Sequence, residues 1–259
     1  MIIKEIAEYL ESIAPLSLQE DYDNAGLITG NNSWECTGIL CTLDVTEAVV
    51  NEAITKNCNC IVAHHPIIFR GLKKINGSSH VEKVIIAAIK NDIAIYASHT
   101  NLDNIINGVN GKIADLVGLT NRQILAGSEN IGAGMIGEIE PTGESAFLGH
   151  LQNQFCLKLV KHTQFLNRTI RKVAVCGGAG SFLISKALAA GADAYVTSDI
   201  KYHEYFGTEG EMLLCDIGHY ESEQFTVSLF IDLLLQKFPT FAILKSEVET
   251  NPVNYFTGK

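Results

Sequence analysis

The sequence predicts an α/β protein made of two pseudo-symmetric lobes that share a cleft. Short apolar runs of the kind found in buried strands alternate with segments that have the apolar spacing of helices. Histidines or carboxylates follow several of the runs directly, and both halves of the chain repeat the same order of elements. Because ligands of open α/β sheets gather at the carboxyl ends of the strands, these polar clusters are predicted to line one site.

Length and composition agree with a globular protein of this class. The chain has 259 residues, of which 47% are hydrophobic and 19% charged, enough for one large domain or two lobes. Acidic residues outnumber basic ones by 29 to 19, which gives a formal charge of −10. A broad nucleic-acid-binding surface needs clustered positive charge, so this balance disfavours nucleic acid as a partner.

The sequence also predicts a cytoplasmic protein without a membrane partner. The first residues have the spacing of an amphipathic helix instead of a secretory signal, with Ile2, Ile6 and Leu10 on one face. No uncharged apolar run approaches the roughly 18 residues needed to span a bilayer. Seven cysteines without a regular framework fit reduced thiols in the cytoplasm.

The first half predicts a β-α-β unit followed by a further strand. In the loop 21–27, Asp23 and Asn24 are suited to bond neighbouring backbone. Asp44 or Thr46 is the expected N-cap of the crossover helix. The expected strands are 38–43, 60–62 and 93–97, and the expected helices after the N-terminal one are 44–57, 81–90 and 108–119.

His64, His65 and Pro66 stand where the strand 60–62 is expected to end. Adjacent side chains on an extended strand point to opposite faces, so both imidazoles reach one site only if the backbone has left the ladder. Pro66 favours this because it restricts His65 to extended or turn conformations. We therefore interpret His64 and His65 as metal ligands, with further ligands supplied from distant parts of the sequence.

The second half predicts several strands, a glycine-rich turn and an apolar helix near its end. The turn at 177–181 lacks the fingerprint G-x-G-x-x-G and the Walker lysine. Tight β-α packing is therefore its main interpretation and an anion site the weaker one. The expected strands are 132–138, 155–160, 172–176, 194–197, 212–215 and 241–244, and the expected helices are 145–154, 182–190 and one that ends near 235.

Polar residues at predicted strand ends recur in both halves. They are His99 and Asp103 in the first half, and Asp199, His203, His219 and Glu223 in the second. This similarity of architecture predicts an N-terminal lobe at 1–125 and a C-terminal lobe at 126–259. The C-terminal strand is free, in this prediction, to cross back onto the first lobe.

The predicted cluster has the composition of a transition-metal site. Imidazoles and carboxylates together suit zinc, iron, manganese or nickel better than calcium. Three histidines and two carboxylates are too many for one three-ligand zinc and match two ions bridged by a carboxylate and a water. Asp103 and Glu223 would repel each other without cations. Any one histidine alone is better explained as structural; the combination of motifs favours metal.

Motifs along essentially the whole chain resemble those of the YbgI-like family, whose members are labelled GTP cyclohydrolase 1 type 2 homologues. In chain order the motifs are Asp23-Asn-Ala-Gly-Leu27, Leu43-Asp-Val-Thr46, His64-His-Pro66, His99-Thr-Asn-Leu-Asp103, Gly177-Gly-Ala-Gly-Ser181, Gly191-Ala-Asp193 to His203, and Gly218-His-Tyr-Glu-Ser-Glu223. The resemblance implies two interlinked α/β lobes, a dinuclear metal site and a ring-shaped homohexamer.

The same resemblance implies a ligand set for two divalent ions per chain. The expected ligands are His64, His65, Asp103, His219 and Glu223, with Glu223 as the bridge. His99 would then lie beside the ligands or face the substrate. His99 and His203 are the candidates for proton transfer during catalysis.

These features predict a dinuclear metal-dependent hydrolase whose bridging hydroxide attacks a C–N or P–O centre of a small, nucleotide-like substrate. Opening of the imidazole ring of GTP is the version that the family label names. Arg70, Lys73 and Lys74 form a basic loop after the histidine pair; a solvated surface is its main interpretation, and steering of an anionic substrate is the alternative. The competing hypothesis is a non-catalytic metal-binding or regulatory scaffold that forms a homo-oligomeric ring.

Overall fold

A computed structural model describes residues 1–256 and has a mixed α/β architecture. The helices in this part of the chain are α1 (Ile3–Ile13), α2 (Glu47–Thr55), α3 (His80–Lys90), α4 (Thr100–Asp103), α5 (Val109–Val117), α6 (Glu144–Phe155), α7 (Ile184–Ala189), α8 (His219–Glu223) and α9 (Thr226–Lys237). The strands are β1 (Gly26–Thr29), β2 (Ile39–Thr42), β3 (Cys60–Ala63), β4 (Ala94–Ala97), β5 (Thr120–Gly127), β6 (Gly132–Gly143), β7 (Lys161–His162), β8 (Thr169–Ala179), β9 (Ala194–Ser198), β10 (Leu213–Asp216) and β11 (Ile243–Lys245).

The chain folds into two units, and the first of them is discontinuous in sequence. It comprises Met1–Leu102 and Thr226–Pro252, and the second comprises Asp103–Phe225 and, within the described part of the chain, residues 253–256. These limits differ from the predicted division at 125/126: the first unit ends earlier, at Leu102, and it includes the C-terminal segment because β11 pairs in parallel with β2. In addition, the hydroxyl of Tyr9 on α1 donates to the carbonyl oxygen of Leu233 on α9. The C-terminal strand therefore belongs to the first sheet.

The first unit contains a five-stranded sheet in the order β1-β4-β3-β2-β11. Its strands are parallel except β1, which lies antiparallel to β4 at one edge. β2, β3 and β4 are apolar and fully buried, as expected of parallel strands covered on both faces. Ala63 at the end of β3 lies opposite Ala97 at the end of β4, so the chain leaves both strands at the same edge of the sheet.

The second unit contains a six-stranded sheet in the order β5-β6-β8-β9-β10-β7. β8, β9 and β10 form a parallel centre, which β6 and β7 flank in antiparallel orientation. Ala179 on β8 lies opposite Ser198 on β9, and Thr197 lies opposite Asp216 on β10. The chain therefore leaves these three strands at the same edge of the sheet.

The prediction of a strand at 155–160 is wrong. Phe155 is the last residue of α6 and is fully buried, and Cys156 ends the helix in a left-handed conformation with φ of 55°. The alternation of apolar residues reflects this helix end and the chain segment after it, and β7 is confined to Lys161–His162.

Among the described residues, no helix combines the length and the apolar character that a membrane span requires.

Candidate metal centre

Three histidines meet at the edge of the first sheet where β3 and β4 end. His64 and His65 follow β3 directly, and His99 lies two residues beyond β4. One potential ligand atom from each ring lies within 4.8 Å of the others. The ring centroids are 4.9 to 5.4 Å apart, and none of the three rings is stacked flat on another. The parallel register of two neighbouring strands thus assembles a compact group of imidazoles.

An oxygen acceptor fixes the Nδ1 atom of each of these rings. His64 Nδ1 lies 3.0 Å from the Ser98 carbonyl oxygen, His65 Nδ1 lies 2.7 Å from Asp44 Oδ1, and His99 Nδ1 lies 2.7 Å from Asp23 Oδ1. Since carbonyl and carboxylate oxygens only accept, Nδ1 is the protonated nitrogen in each neutral ring. Nε2 therefore has the lone pair, as in histidines that bind metals.

Asp44 orients His65 and is itself oriented by the C-terminal segment. Thr46 is the N-cap of α2, so the predicted choice between Asp44 and Thr46 resolves in favour of Thr46. Asp44 accepts a hydrogen bond of 2.8 Å from the Thr250 hydroxyl through its other oxygen. Burial opposes ionisation of Asp44, but the hydrogen bond and charge of His65 outweigh it and lower the pKa of this carboxyl.

Asp23 has the corresponding role at His99. Its Oδ2 accepts hydrogen bonds from the backbone amide and the hydroxyl of Thr100, and its side chain is fully buried beside the His99 ring. Burial raises the pKa of Asp23, but the bonds from His99 and Thr100 outweigh this effect and lower the pKa to about 2. A buried, ionised carboxylate thus holds the orientation of His99.

A second cluster, rich in carboxylates, lies on the short helix α8 of the second unit. His219 Nε2 lies 3.1 Å from Glu223 Oε2, and His219 Nδ1 lies 2.6 Å from Asp199 Oδ2. Glu223 is almost fully buried, whereas the side chain of His219 is 39% exposed. Asp199 directly follows β9 and has φ of 55°, a conformation that aspartate tolerates better than most residues.

The glycine turn after β8 lies directly against this second cluster. Gly178 has φ of 59°, and a Cβ at this position would collide with Glu223 Oε1 and lie 3.4 Å from His219 Cε1. The Gly178 amide donates to the Ser222 hydroxyl, which in turn donates to the His219 carbonyl oxygen. The glycine turn therefore allows the backbone after β8 to lie close to α8. This role is more specific than the predicted β-α packing.

Asp103 ends α4 and lies in the second unit. Its backbone carbonyl accepts a hydrogen bond of 3.0 Å from Asn110. Burial, together with the nearby charges of Asp103 and Glu223, raises the pKa of the Cys176 thiol to about 12. Both carboxylates therefore act on the same buried thiol at the end of the parallel centre of the second sheet.

Comparison with known proteins agrees with the sequence motifs. Residues 1–252 match Duf34/NIF3, NGG1p interacting factor 3. The chain belongs to the Duf34/NIF3 family. It is 35% identical over 256 residues to a GTP cyclohydrolase 1 type 2 homolog from Lactococcus lactis, covering 97% of this chain and 98% of the relative. The predicted resemblance to this group of proteins is confirmed.

Solved structures of Duf34/NIF3 proteins share the fold. A Bacillus cereus protein related to NIF3 has a TM-score of 0.91 and 26% identity, covering 99% of both chains. A structural genomics target, protein ybgI, has a TM-score of 0.85 over 98% of this chain and 100% of its own; at 20% identity this similarity concerns the fold alone. The predicted α/β fold class is confirmed.

The donors of both clusters are of the kind that could hold divalent metal ions. Neutral imidazole nitrogens with anchored partners and a buried glutamate are typical ligands of first-row transition metals. His203 belongs to neither cluster in the described residues: it is exposed on a 3-10 helix, Tyr202–Thr208, beside the rings of Tyr202 and Phe206. Its proposed role stays a prediction.

Sequence reasoning placed Asp199 at a strand end, but it missed that Asp23, Asp44 and Asp199 hold the histidine rings. Asp44 and Asp199 follow strands that neighbour β3 and β10, so the rule that identified His64 also applied to them. Asp23 lies in a loop before β1, and its sequence position gives no sign that it reaches His99 across 76 residues. Only the tertiary fold reveals that partnership.

Proposed function

We propose that this Duf34/NIF3 protein is a metal-dependent hydrolase that acts on a small nucleotide-like substrate. The observation that supports this most strongly is the group of three histidines whose Nδ1 atoms are all fixed by oxygen acceptors. Such anchoring orients Nε2 and raises its basicity, and it is typical of rings that bind a metal.

In this proposal the metal ligands are His64, His65, Asp103, His219 and Glu223, and the protein binds two divalent ions of zinc, iron, manganese or nickel. The bound ions would supply Lewis acidity and lower the pKa of water toward neutrality. The anchored rings of the first unit and the buried Glu223 of the second support this assignment.

His99 is the better supported of the two predicted proton carriers. Asp23 holds its Nδ1–H, so Nε2 is the atom that would accept a proton from water and return it to the leaving group. A buried carboxylate partner stabilises the imidazolium that forms in such a step. His203 lacks a carboxylate partner of this kind in the described part of the chain, and we keep it as the second candidate.

The names of the relatives suggest the substrate class. Several curated relatives are called GTP cyclohydrolase 1 type 2 homolog, so hydrolysis of a C–N bond in a purine nucleotide is the first reaction to test. The metal-loaded protein should convert GTP, or another compound of a nucleotide and amide panel, with loss of purine absorbance. His65→Ala should abolish the conversion. Absence of turnover across the panel by fully loaded protein would contradict the proposal.

We also propose that the protein forms a homohexamer in the cytoplasm. The second unit exposes Phe182, Tyr202 and Phe206, whose ring surfaces are of the kind that subunit interfaces cover. Seven free cysteines fit a reducing compartment. Sedimentation equilibrium would support the assembly with a mass of six chains, and a monomer at micromolar concentration would contradict it. A stable ring without turnover would favour the scaffold hypothesis.

A further inference from the structure

An exposed aromatic side chain lies against the histidine cluster of the first unit. The ring centroid of Phe69 is 5.6 Å from that of His99, with an angle of 83° between the ring planes. Phe69 is 50% exposed although it is a large apolar residue. The Phe69 ring therefore lies beside the first cluster without being packed into the core of the protein.

Packing on both sides of Phe69 fixes the segment that presents it. Ile67, Ile68 and Leu72 pack against the core cluster formed by β2, β3, β4, α2 and α3. The Asn24 side chain donates a hydrogen bond of 2.7 Å to the Ile68 carbonyl oxygen. Asp23, the residue before Asn24, binds the His99 ring. The same short loop therefore contacts both the backbone at Ile68 and the side chain of His99. The position of Phe69 beside His99 is therefore built into the fold.

Three cations follow Phe69 within five residues. Arg70, Lys73 and Lys74 are all exposed. None of them forms an ion pair with another residue of the part that the structure describes, residues 1–256. Unpaired cations so close together repel one another, and they occur here in a chain of net charge −10. Such a local excess of positive charge is suited to bind an anion with several charges.

We propose that Phe69, Arg70, Lys73 and Lys74 form a binding site for a nucleoside polyphosphate. The base stacks on the Phe69 ring, and the guanidinium and ammonium groups bind the phosphates. Small nucleotides fit better than nucleic acid because the positive charge is confined to one loop of an acidic protein. This site rests on the proposed function in one respect. Stacking on Phe69 places the base next to His99, the proposed proton carrier.

Equilibrium binding to metal-free protein tests this site without any need for turnover. Isothermal titration in the presence of a chelator should rank three probes: GTP tightest, then tripolyphosphate, then guanosine. The variant Arg70→Ala/Lys73→Ala/Lys74→Ala should lose at least about tenfold in affinity for GTP and tripolyphosphate. Lys83→Ala/Lys90→Ala/Lys237→Ala removes the same charge from exposed helical positions and should retain wild-type affinity to within about twofold.

A second variant separates stacking from charge. Phe69→Ala should weaken GTP binding roughly tenfold and leave tripolyphosphate binding unchanged, and Phe69→Tyr should restore GTP binding. Both variants replace a half-exposed side chain, so the fold should persist, and circular dichroism checks this.

Three results would overturn the site. The first is that wild-type protein binds none of the probes, and the second is that both triple variants lose affinity equally. The third is that a short single-stranded oligonucleotide binds the loop at least tenfold more tightly than GTP, which would assign it to nucleic acid. Loop-dependent GTP binding, together with absence of turnover by the fully metal-loaded protein across the whole panel, would instead contradict the hydrolase proposal and keep the site.

Discussion

Both clusters hold potential metal ligands at the edge of a sheet, but different contacts fix the side chains in the two clusters. The first consists of nitrogens from His64, His65 and His99, each held by its own oxygen acceptor. The second pairs one half-exposed histidine with the buried carboxylate of Glu223. Hydrogen bonds fix the rings of the first cluster. In the second, Asp199 also holds His219, but in addition the backbone of Gly178 lies so close to Glu223 that there is no room for a side chain.

This difference shows which substitutions each cluster should tolerate. A cluster fixed by hydrogen bonds should weaken gradually as its acceptors are removed one at a time. A cluster fixed by backbone contact should fail at once when a single Cβ is added. The variants below test that contrast, starting with the one of largest expected effect.

Gly178→Ala should be the most damaging single change. Gly178 and Gly191 both have positive φ, so alanine costs about 1–2 kcal/mol at either position. At Gly191 the new Cβ meets nothing within 4 Å, whereas at Gly178 it collides with Glu223. Displacing this buried carboxylate should add about 1–3 kcal/mol to the loss in unfolding free energy. Urea unfolding of both variants measures the difference, and equal losses would refute the role assigned to the turn.

The acceptors of the histidines should affect metal affinity before they affect the fold. Asp44→Asn should lower the affinity of the protein for Zn²⁺ by up to about 100-fold, and Asp199→Asn by about tenfold. The smaller effect is expected at Asp199 because its side chain is 52% exposed, against 34% for Asp44. Competition with a chelating dye provides the measurement, with Asp232→Asn on the exposed side of α9 as the control. A larger effect at Asp199 would reverse the comparison.

Acid should weaken the first unit through Asp23. The lowered pKa of this carboxyl, about 2 against an ordinary 3.8, means that the unfolded chain takes up the proton first as pH falls. The stabilisation is complete above about pH 4 and is lost as the pH falls through 2. It amounts to about 2 kcal/mol. Between pH 5 and pH 2, the unfolding free energy of the metal-free wild-type protein should therefore fall by about 2 kcal/mol more than that of the Asp23→Asn variant. Parallel curves for the two proteins would contradict this.

Thr250→Val should have the smallest effect of the series. The substitution keeps the shape of the side chain and removes the hydrogen bond to Asp44, which is worth about 1 kcal/mol. Zn²⁺ affinity should fall a few-fold through the looser His65, while Thr55→Val, at an exposed position of α2, should leave it unchanged. Equal affinities for the wild type and Thr250→Val would show that Asp44 needs no support from the C-terminal segment.

Much of the fold was predictable because the parallel strands are short, apolar and regularly followed by polar residues. β2, β3, β4, β9 and β10 lie close to their predicted positions. β5 was missed since most of its side chains are exposed or half-buried and show no clean alternation. The return of α9 and β11 to the first unit depends on long-range pairing with β2, which the local sequence pattern does not specify.

The candidate site was predictable where a polar residue follows a strand. The candidate ligands His64, His65 and His219 follow that rule, and so does His99, the candidate proton carrier. The partners that orient them obey it only in part: Asp44 and Asp199 do, whereas Asp23 and Thr250 reach their partners from loops distant in sequence. The role of Gly178 depends on the close approach of its backbone to Glu223, which only the tertiary fold defines.

The metal content of the protein tests the central claim most directly. Protein purified without chelator or an affinity-tag metal should contain about two first-row divalent ions per chain by elemental analysis. His64→Ala/His65→Ala and His219→Ala/Glu223→Gln should each lose bound metal while circular dichroism shows a retained fold. Wild-type protein that binds no such ion even after reloading, or variants that keep the wild-type content, would contradict the assignment of both clusters to metal binding.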